Sequence, residues 1–215
     1  PDWTYEVAES VPEGRPYVTG AIVRDVNMTE DVLESLIQLQ EKLHATMGRK
    51  RAKAAIGIHD LTMLKGAGVA DETGHSITYR GIDPDGDRFV PLDADSEMTP
   101  ADVLADHPVG DKFGHLLDGF DRYPAIYDDL GLFSFPPVIN GRRTEVEADS
   151  RHLLIELTGT DQWTTHHICN LICYALSARG APIEDVETEY PTAAGPREQV
   201  GGGAGRPRVD THPPT

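Results

Sequence analysis

Apolar side chains return at Val32, Leu33, Leu36, Ile37, Leu43 and Met47, the spacing of one buried face of an α-helix. Thr29 stands where an N-cap oxygen is needed, Glu30 and Asp31 lie in the first turn, and Gly48 closes the run. The period shortens on both sides of this helix. Residues 17–26 (YVTGAIVRDV) have the β-branched density of a strand, and residues 54–60 (AAIGIHD) read as a buried one. SITYR (76–80) and RFVPL (88–92) predict a hairpin around the turn-rich DPDGD. Thr99-Pro100 is a cap followed by a first-turn proline and predicts a short helix that Pro108 ends, with another short helical piece over 112–118. Strand patterns resume at PAIYD (124–128), LFSFPPVIN (132–140) and HLLIELTG (152–159). Thr160 or Asp161 then caps a long helix to Ala178, closed by Arg179 and Gly180, and IEDVETEY (183–190) predicts a final strand.

Strands and helices mix without a regular βαβ rhythm, so the expected fold is α+β, a mainly antiparallel sheet with packed helices. Residues 1–16, broken by Pro12, Gly14 and Pro16, read as a leading segment. Residues 17–191 read as one folded domain. Residues 192–215 are rich in Gly, Pro and Arg, hold no aromatic side chain, and are expected to be a disordered tail.

Charge changes the picture. The chain carries 36 acidic residues against 19 basic ones, a net charge of −17. Asp outnumbers Glu, 21 to 15, and only 5 of the bases are Lys. An Asp-rich, Lys-poor surface is the expectation for a cytoplasm of molar salt, where the Debye length is about 3 Å and like charges scarcely repel. An acidic balance argues against a nucleic-acid partner at ordinary salt, but the argument weakens when salt screens every long-range charge. With 39% hydrophobic residues a real core is available, and no apolar run approaches the roughly 18 residues of a membrane span. The opening PDWTYEVAES lacks a basic n-region, an apolar h-region and an initiator Met, so the expectation is a cytoplasmic piece of a longer protein.

Several motifs invite chemistry. GGGAG near the end follows no strand and opens no helix, so it is not a phosphate loop. His166, Cys169 and Cys173 fall within a helical sector of about 60°, which could offer three zinc ligands. They also border the apolar face of Ile168, Leu171 and Ile172, and core-edge packing with no metal is the expectation. GRKRAK concentrates Arg49, Lys50, Arg51 and Lys53 after the first helix, which suits either a helix C-terminus or a phosphate contact. No nucleophile elbow, HExxH zinc motif or Cys-His order appears. Glu156 and Thr158, two apart on a strand, point to one face and are read either as an edge-strand acid and a cap or as site residues.

RPYV, LIQLQEKLH followed by GRKR, AIGIHDL, FVPLD with MTP, HLLDGFDRYP, SFPPVIN and LTGTD occur in this order. Together they resemble the beta chain of archaeal and eukaryotic-type phenylalanyl-tRNA synthetase over about residues 15–190, specifically its editing domain, with halophilic character. The resemblance implies that family's editing-domain fold and the hydrolysis of tyrosine misattached to the phenylalanine tRNA. It implies Asn140 and Thr158 as residues acting on water or the ester carbonyl. It implies Ser134, Phe135, Pro137, Glu156 and His115 around the bound amino acid, and Arg49, Lys50, Arg51 and Lys53 as tRNA contacts. Where the family often has Asp, this chain has Glu156, one methylene longer. No cofactor is implied for editing, whereas the full synthetase uses ATP and magnesium and pairs with an alpha chain and the tRNA. Two other readings stand beside this one: a non-catalytic module of the same synthetase that positions tRNA or contacts a subunit, and a freestanding editing factor.

Overall fold

The computed structural model describes residues 3–64 and 75–191. The expected disordered tail, 192–215, lies outside the described residues. Among the described residues nine strands form one sheet: β1 (Trp3–Val7), β2 (Tyr17–Val23), β3 (Ala54–Asp60), β4 (His75–Ile82), β5 (Tyr123–Asp128), β6 (Gly131–Phe135), β7 (Ile139–Asn140), β8 (Leu153–Gly159) and β9 (Ile183–Glu189). Their spatial order is β3-β8-β2-β9-β1-β4-β5-β6-β7. β1 runs parallel to both β4 and β9, and the other pairings are antiparallel.

Four α-helices among the described residues complete the α+β fold: α1 (Glu30–Ala45), α2 (Pro100–Asp106), α3 (Pro108–Phe113) and α4 (Gln162–Ser177). Their starts follow local chemistry. The Thr29 hydroxyl accepts from the Val32 amide, Thr99 and Asp102 form a reciprocal capping box, and Asp161 accepts from the Thr164 amide.

Alternation along β8 separates two cores. Leu153, Ile155 and Leu157 pack with Ile56, Leu36 of α1 and Ile168, Ile172 and Leu176 of α4. Leu154 packs on the other face with Tyr5, Ile22, Tyr79, Ile126 and Phe133. Strands from opposite ends of the spatial order thus meet across that face, so the sheet coils back over itself. A third cluster joins Val103 of α2 to Phe89, Phe135 and Val138.

Three expectations are corrected. Residues 1–16 are more than a lead-in, because β1 sits in the middle of the sheet with Trp3 and Tyr5 buried. SITYR does not pair with RFVPL; β4 pairs with β1 and β5, and Phe89 and Pro91 make isolated bridges to Met98 and Gly141. Pro108 does not only end a helix, since it opens α3, with the His107 ring accepting from the Val109 amide.

Charge and burial each lead to a measurable consequence. Surface ion pairs such as Arg24–Glu184 and Arg142–Asp95 leave a large acidic excess to self-repel. Screening shortens from about 10 Å at 0.1 M salt to about 3 Å at 1 M. The thermal midpoint is therefore expected to climb steeply from low salt to molar KCl, and a flat curve would remove this explanation of the surface.

His44, buried on α1, accepts the Ile56 amide on Nε2 at 2.8 Å and so ties the helix to β3 with a neutral ring. Burial, with the Arg51 charge adding to it, lowers this imidazole from 6.5 to about 4. The unfolded chain therefore binds the proton first, and stability present above pH 6.5 is lost as pH falls toward 4. Between pH 7 and pH 5 the loss is about 2 kcal/mol. Urea midpoints should show a shallower acid slope in His44→Gln, the difference from the parent isolating this ring from His166, which burial also lowers.

Candidate functional site

Where the two ends of the sheet approach, a cleft of about 200 Å³ opens between β3 and β8 on one side and the proline bend after β6 on the other. Pro136, Pro137, Val138 and Ile139 form an apolar wall, Leu92 and Val109 also line the cleft, and Gln40, Asp93, Ser134, Asn140 and Glu156 supply polar groups. The Pro136–Pro137 peptide bond is cis.

Glu156 lies at the floor, 1% exposed. In register beside it are Gly20 on β2 and Gly57 on β3. A Cβ at Gly57 would stand 2.7 Å from Glu156 Oε2, 2.8 Å from His59 Nε2 and 3.1 Å from Asn140 Oδ1. Glycine is required there because the polar groups themselves occupy the space of a side chain. His59, two residues on and on the same face, holds Glu156 Oε2 through Nε2 at 2.8 Å. Its Nδ1 meets Thr144 Oγ1 at 2.8 Å, and Phe133 packs edge-on against the ring at 5.0 Å. Ser134 Oγ donates to Asn140 Oδ1 at 3.4 Å across the β6–β7 pair.

Two arginines brace the walls. Arg15, 3% exposed, donates from Nε to Thr158 Oγ1 at 2.9 Å and from Nη2 to the carbonyls of Thr158 and Arg51 at 3.0 and 3.1 Å. Burial brings its guanidinium down to about 10, so it stays charged at neutral pH. Arg51 donates from Nη1 to the carbonyls of Pro137 and Val138 at 3.2 and 3.0 Å, fixing the bend, and lies 3.9 Å over the Phe113 ring. Arg49, Lys50 and Arg51 all have left-handed φ, at 48, 54 and 71°. Such backbone costs about 1–2 kcal/mol per residue; the Arg15 bond to the Arg51 carbonyl, and the Lys50 amide bond to the His44 carbonyl at 2.7 Å, help hold it.

No protein-family model matches the chain. It is 63% identical over 211 residues to the phenylalanine–tRNA ligase beta subunit of Halorubrum lacusprofundi, covering 98% of this chain and 36% of that protein. The beta subunit of Haloarcula marismortui is 66% identical over 206 residues, 96% of this chain and 35% of that one. The crystal structure of an N-terminal fragment of the phenylalanyl-tRNA synthetase beta-subunit from Pyrococcus horikoshii matches with a TM-score of 0.81 at 34% identity. That match covers 88% of this chain and 52% of the fragment. The chain belongs to the phenylalanine–tRNA ligase beta-subunit family. It spans about a third of the length of the curated relatives it matches, and the halophilic surface agrees with their sources.

Within this beta-subunit segment, the sequence-derived positions separate. Ser134, Pro137, Asn140 and Glu156 share the cleft. Thr158 is fully buried and holds Arg15 rather than lining the cleft. Phe135 turns into the core, stacked on Tyr123 at 5.8 Å, and His115 is exposed on the turn Gly114–Leu117, away from the lining. Glu156 is no edge-strand acid, since β8 lies between β3 and β2. Arg49 and Lys50 are exposed, Arg51 lines the cleft, and Lys53 pairs with Asp161 at 3.4 Å. Cys169 and Cys173 are 0% exposed in the core, and a mutual hydrogen bond and burial push the Cys169 thiol up. Among the described residues no group of three or more His, Cys, Asp or Glu is placed to hold a metal, and no helix is long and apolar enough to cross a membrane.

Sequence reasoning missed His59, Thr144, Arg15 and the bracing role of Arg51. The one available signal was the alternation in AAIGIHD, which sets Gly57 and His59 on the same face of β3.

Proposed function

We propose that this chain is the editing module of the beta subunit and hydrolyses the ester of tyrosine misattached to the phenylalanine tRNA. The observation that carries the proposal is a buried carboxylate at the floor of a small, apolar-walled cleft, with one oxygen held by His59 and the other without a hydrogen-bond partner among the described residues. A volume of about 200 Å³ falls below the roughly 300–1,000 Å³ of drug-sized sites and suits one amino-acid side chain. Phenylalanine and tyrosine differ by one hydroxyl. An apolar synthetic pocket rejects such an addition only about 100-fold. A second pocket that hydrogen-bonds the hydroxyl can select it, because phenylalanine would leave the polar group unpaired.

In this proposal the proline wall holds the aromatic ring and Glu156 accepts a hydrogen bond from the phenolic hydroxyl or the substrate ammonium. Asn140 positions water or the ester carbonyl, and Thr158 contributes through Arg15 to the shape of the site. The exposed Arg49 and Lys50, close in sequence to the cleft-lining Arg51, would meet tRNA phosphates. Hydrolysis requires no cofactor in this scheme. ATP, magnesium and the alpha chain would serve aminoacylation by the whole cytoplasmic synthetase.

The test is deacylation in molar KCl, comparing tyrosyl- and phenylalanyl-tRNA for phenylalanine incubated with this chain. Faster loss of the tyrosyl ester than its spontaneous decay is expected. Spontaneous rates for both esters would instead favour a module that only positions tRNA.

A further inference from the structure

We propose that His59 is a positioning and specificity-determining residue. It fixes Glu156 as an acceptor, occupying Oε2 with an Nε2 proton and leaving Oε1 to read a hydrogen-bond donor in the cleft. The inference deepens the editing reading and rests on it for its substrate.

For a neutral ring the proton count supports one arrangement. Thr144 has a single hydroxyl proton and two acceptors in reach, His59 Nδ1 at 2.8 Å and the Gly141 carbonyl at 3.5 Å. The longer contact is at the limit of a hydrogen bond, so the proton goes to Nδ1. The neutral imidazole then carries its own proton on Nε2, facing Glu156 Oε2 at 2.8 Å. Both ring nitrogens of His59 then face a complementary partner, as buried polar groups require. The opposite tautomer would set two lone pairs against each other unless Glu156 took up a proton.

The groups around Glu156 come from several elements. Arg15, from the segment before β2, interacts favourably with Glu156. Tyr5 of β1 and Tyr79 of β4 also face it and are kept neutral by burial. Of the other polar cleft residues Asn140 and Ser134 carry no charge, and Arg51 and Asp93 are the charged ones. An ionised oxygen accepts only. A phenolic hydroxyl or an ammonium satisfies it, and a phenyl ring leaves it bare. Without His59 the carboxylate loses the partner that fixes its rotamer, and its free oxygen is no longer aimed at one donor position.

Two variants and one spectrum test this. His59→Gln places an amide N–H near the position of Nε2, and His59→Leu removes the donor. The leucine variant is expected to lower the ratio of tyrosyl to phenylalanyl hydrolysis by about tenfold or more, the value of a hydrogen bond to a charged group. The glutamine variant should stay within about threefold of the parent ratio, the rescue that a purely structural role would not show. Nitrogen-15 NMR of the parent protein should find the His59 proton on Nε2 with Nδ1 bare. A leucine variant with the parental ratio, a folded glutamine variant that loses selectivity, or a proton on Nδ1 with Nε2 bare would each overturn the proposal. If the parent chain fails to hydrolyse either ester, the editing reading falls, and the NMR result still decides the His59–Glu156 arrangement.

Discussion

Glu156→Ala is expected to slow tyrosyl-ester hydrolysis by about 10- to 150-fold, the loss of one charge-assisted hydrogen bond worth about 1.5–3 kcal/mol. Preference for tyrosyl over phenylalanyl ester should erode with it, because the proline wall holds both rings alike and the buried carboxylate that reads the hydroxyl is gone. The carboxylate is 1% exposed, and its removal also strands the His59 ring, 0% exposed, without its partner. Rates should therefore be normalised to folded protein, with thermal midpoints recorded on the same samples. An alanine variant that deacylates the tyrosyl ester at the parental rate would remove Glu156 from the mechanism.

The second large effect lies outside the cleft lining. Arg15→Met keeps most of the side-chain volume but withdraws donors from Thr158 Oγ1 and from the carbonyls of Thr158 and Arg51. Each buried acceptor left unpaired costs about 1–3 kcal/mol. The left-handed turn that aims Arg51 at the proline bend also loses one of its pins. Some of this loss is offset because a buried guanidinium is itself costly to desolvate. A net destabilisation of about 3–5 kcal/mol is expected from urea unfolding in molar KCl. A change below about 1 kcal/mol would show that Arg15 is replaceable by packing alone. Thr158→Val, which removes one of the same acceptors, should destabilise less and disturb tyrosyl selectivity less than Glu156→Ala.

The helices were legible because their signals are local. Thr29, Thr99 before Pro100, and Asp161 cap α1, α2 and α4 as residue type and spacing predict. The mainly antiparallel α+β class and the alternation of β8 were also readable. The sequence missed β1, whose neighbours in the sheet are β4 and β9. It also paired RFVPL with the wrong partner. Strand partnership is a long-range choice, made by whichever faces bury together, and a short segment carries little trace of it.

The site shows the same division. Sequence alone determined which residues could supply chemistry: a carboxylate and a hydroxyl two apart on a strand, a rigid proline bend ending in Asn140, and an acidic surface suited to salt. Tertiary structure decided which of them meet. Glu156 reaches His59 across 97 positions and Arg15 reaches Thr158 across 143. Coiling of the sheet brings β3 and β8 against the bend, closing those distances and turning Glu156 toward the cleft while Thr158 is held by Arg15. A hydrogen bond needs heavy atoms within about 3 Å, a condition set by how the strands stack and curl rather than by any residue's immediate neighbours.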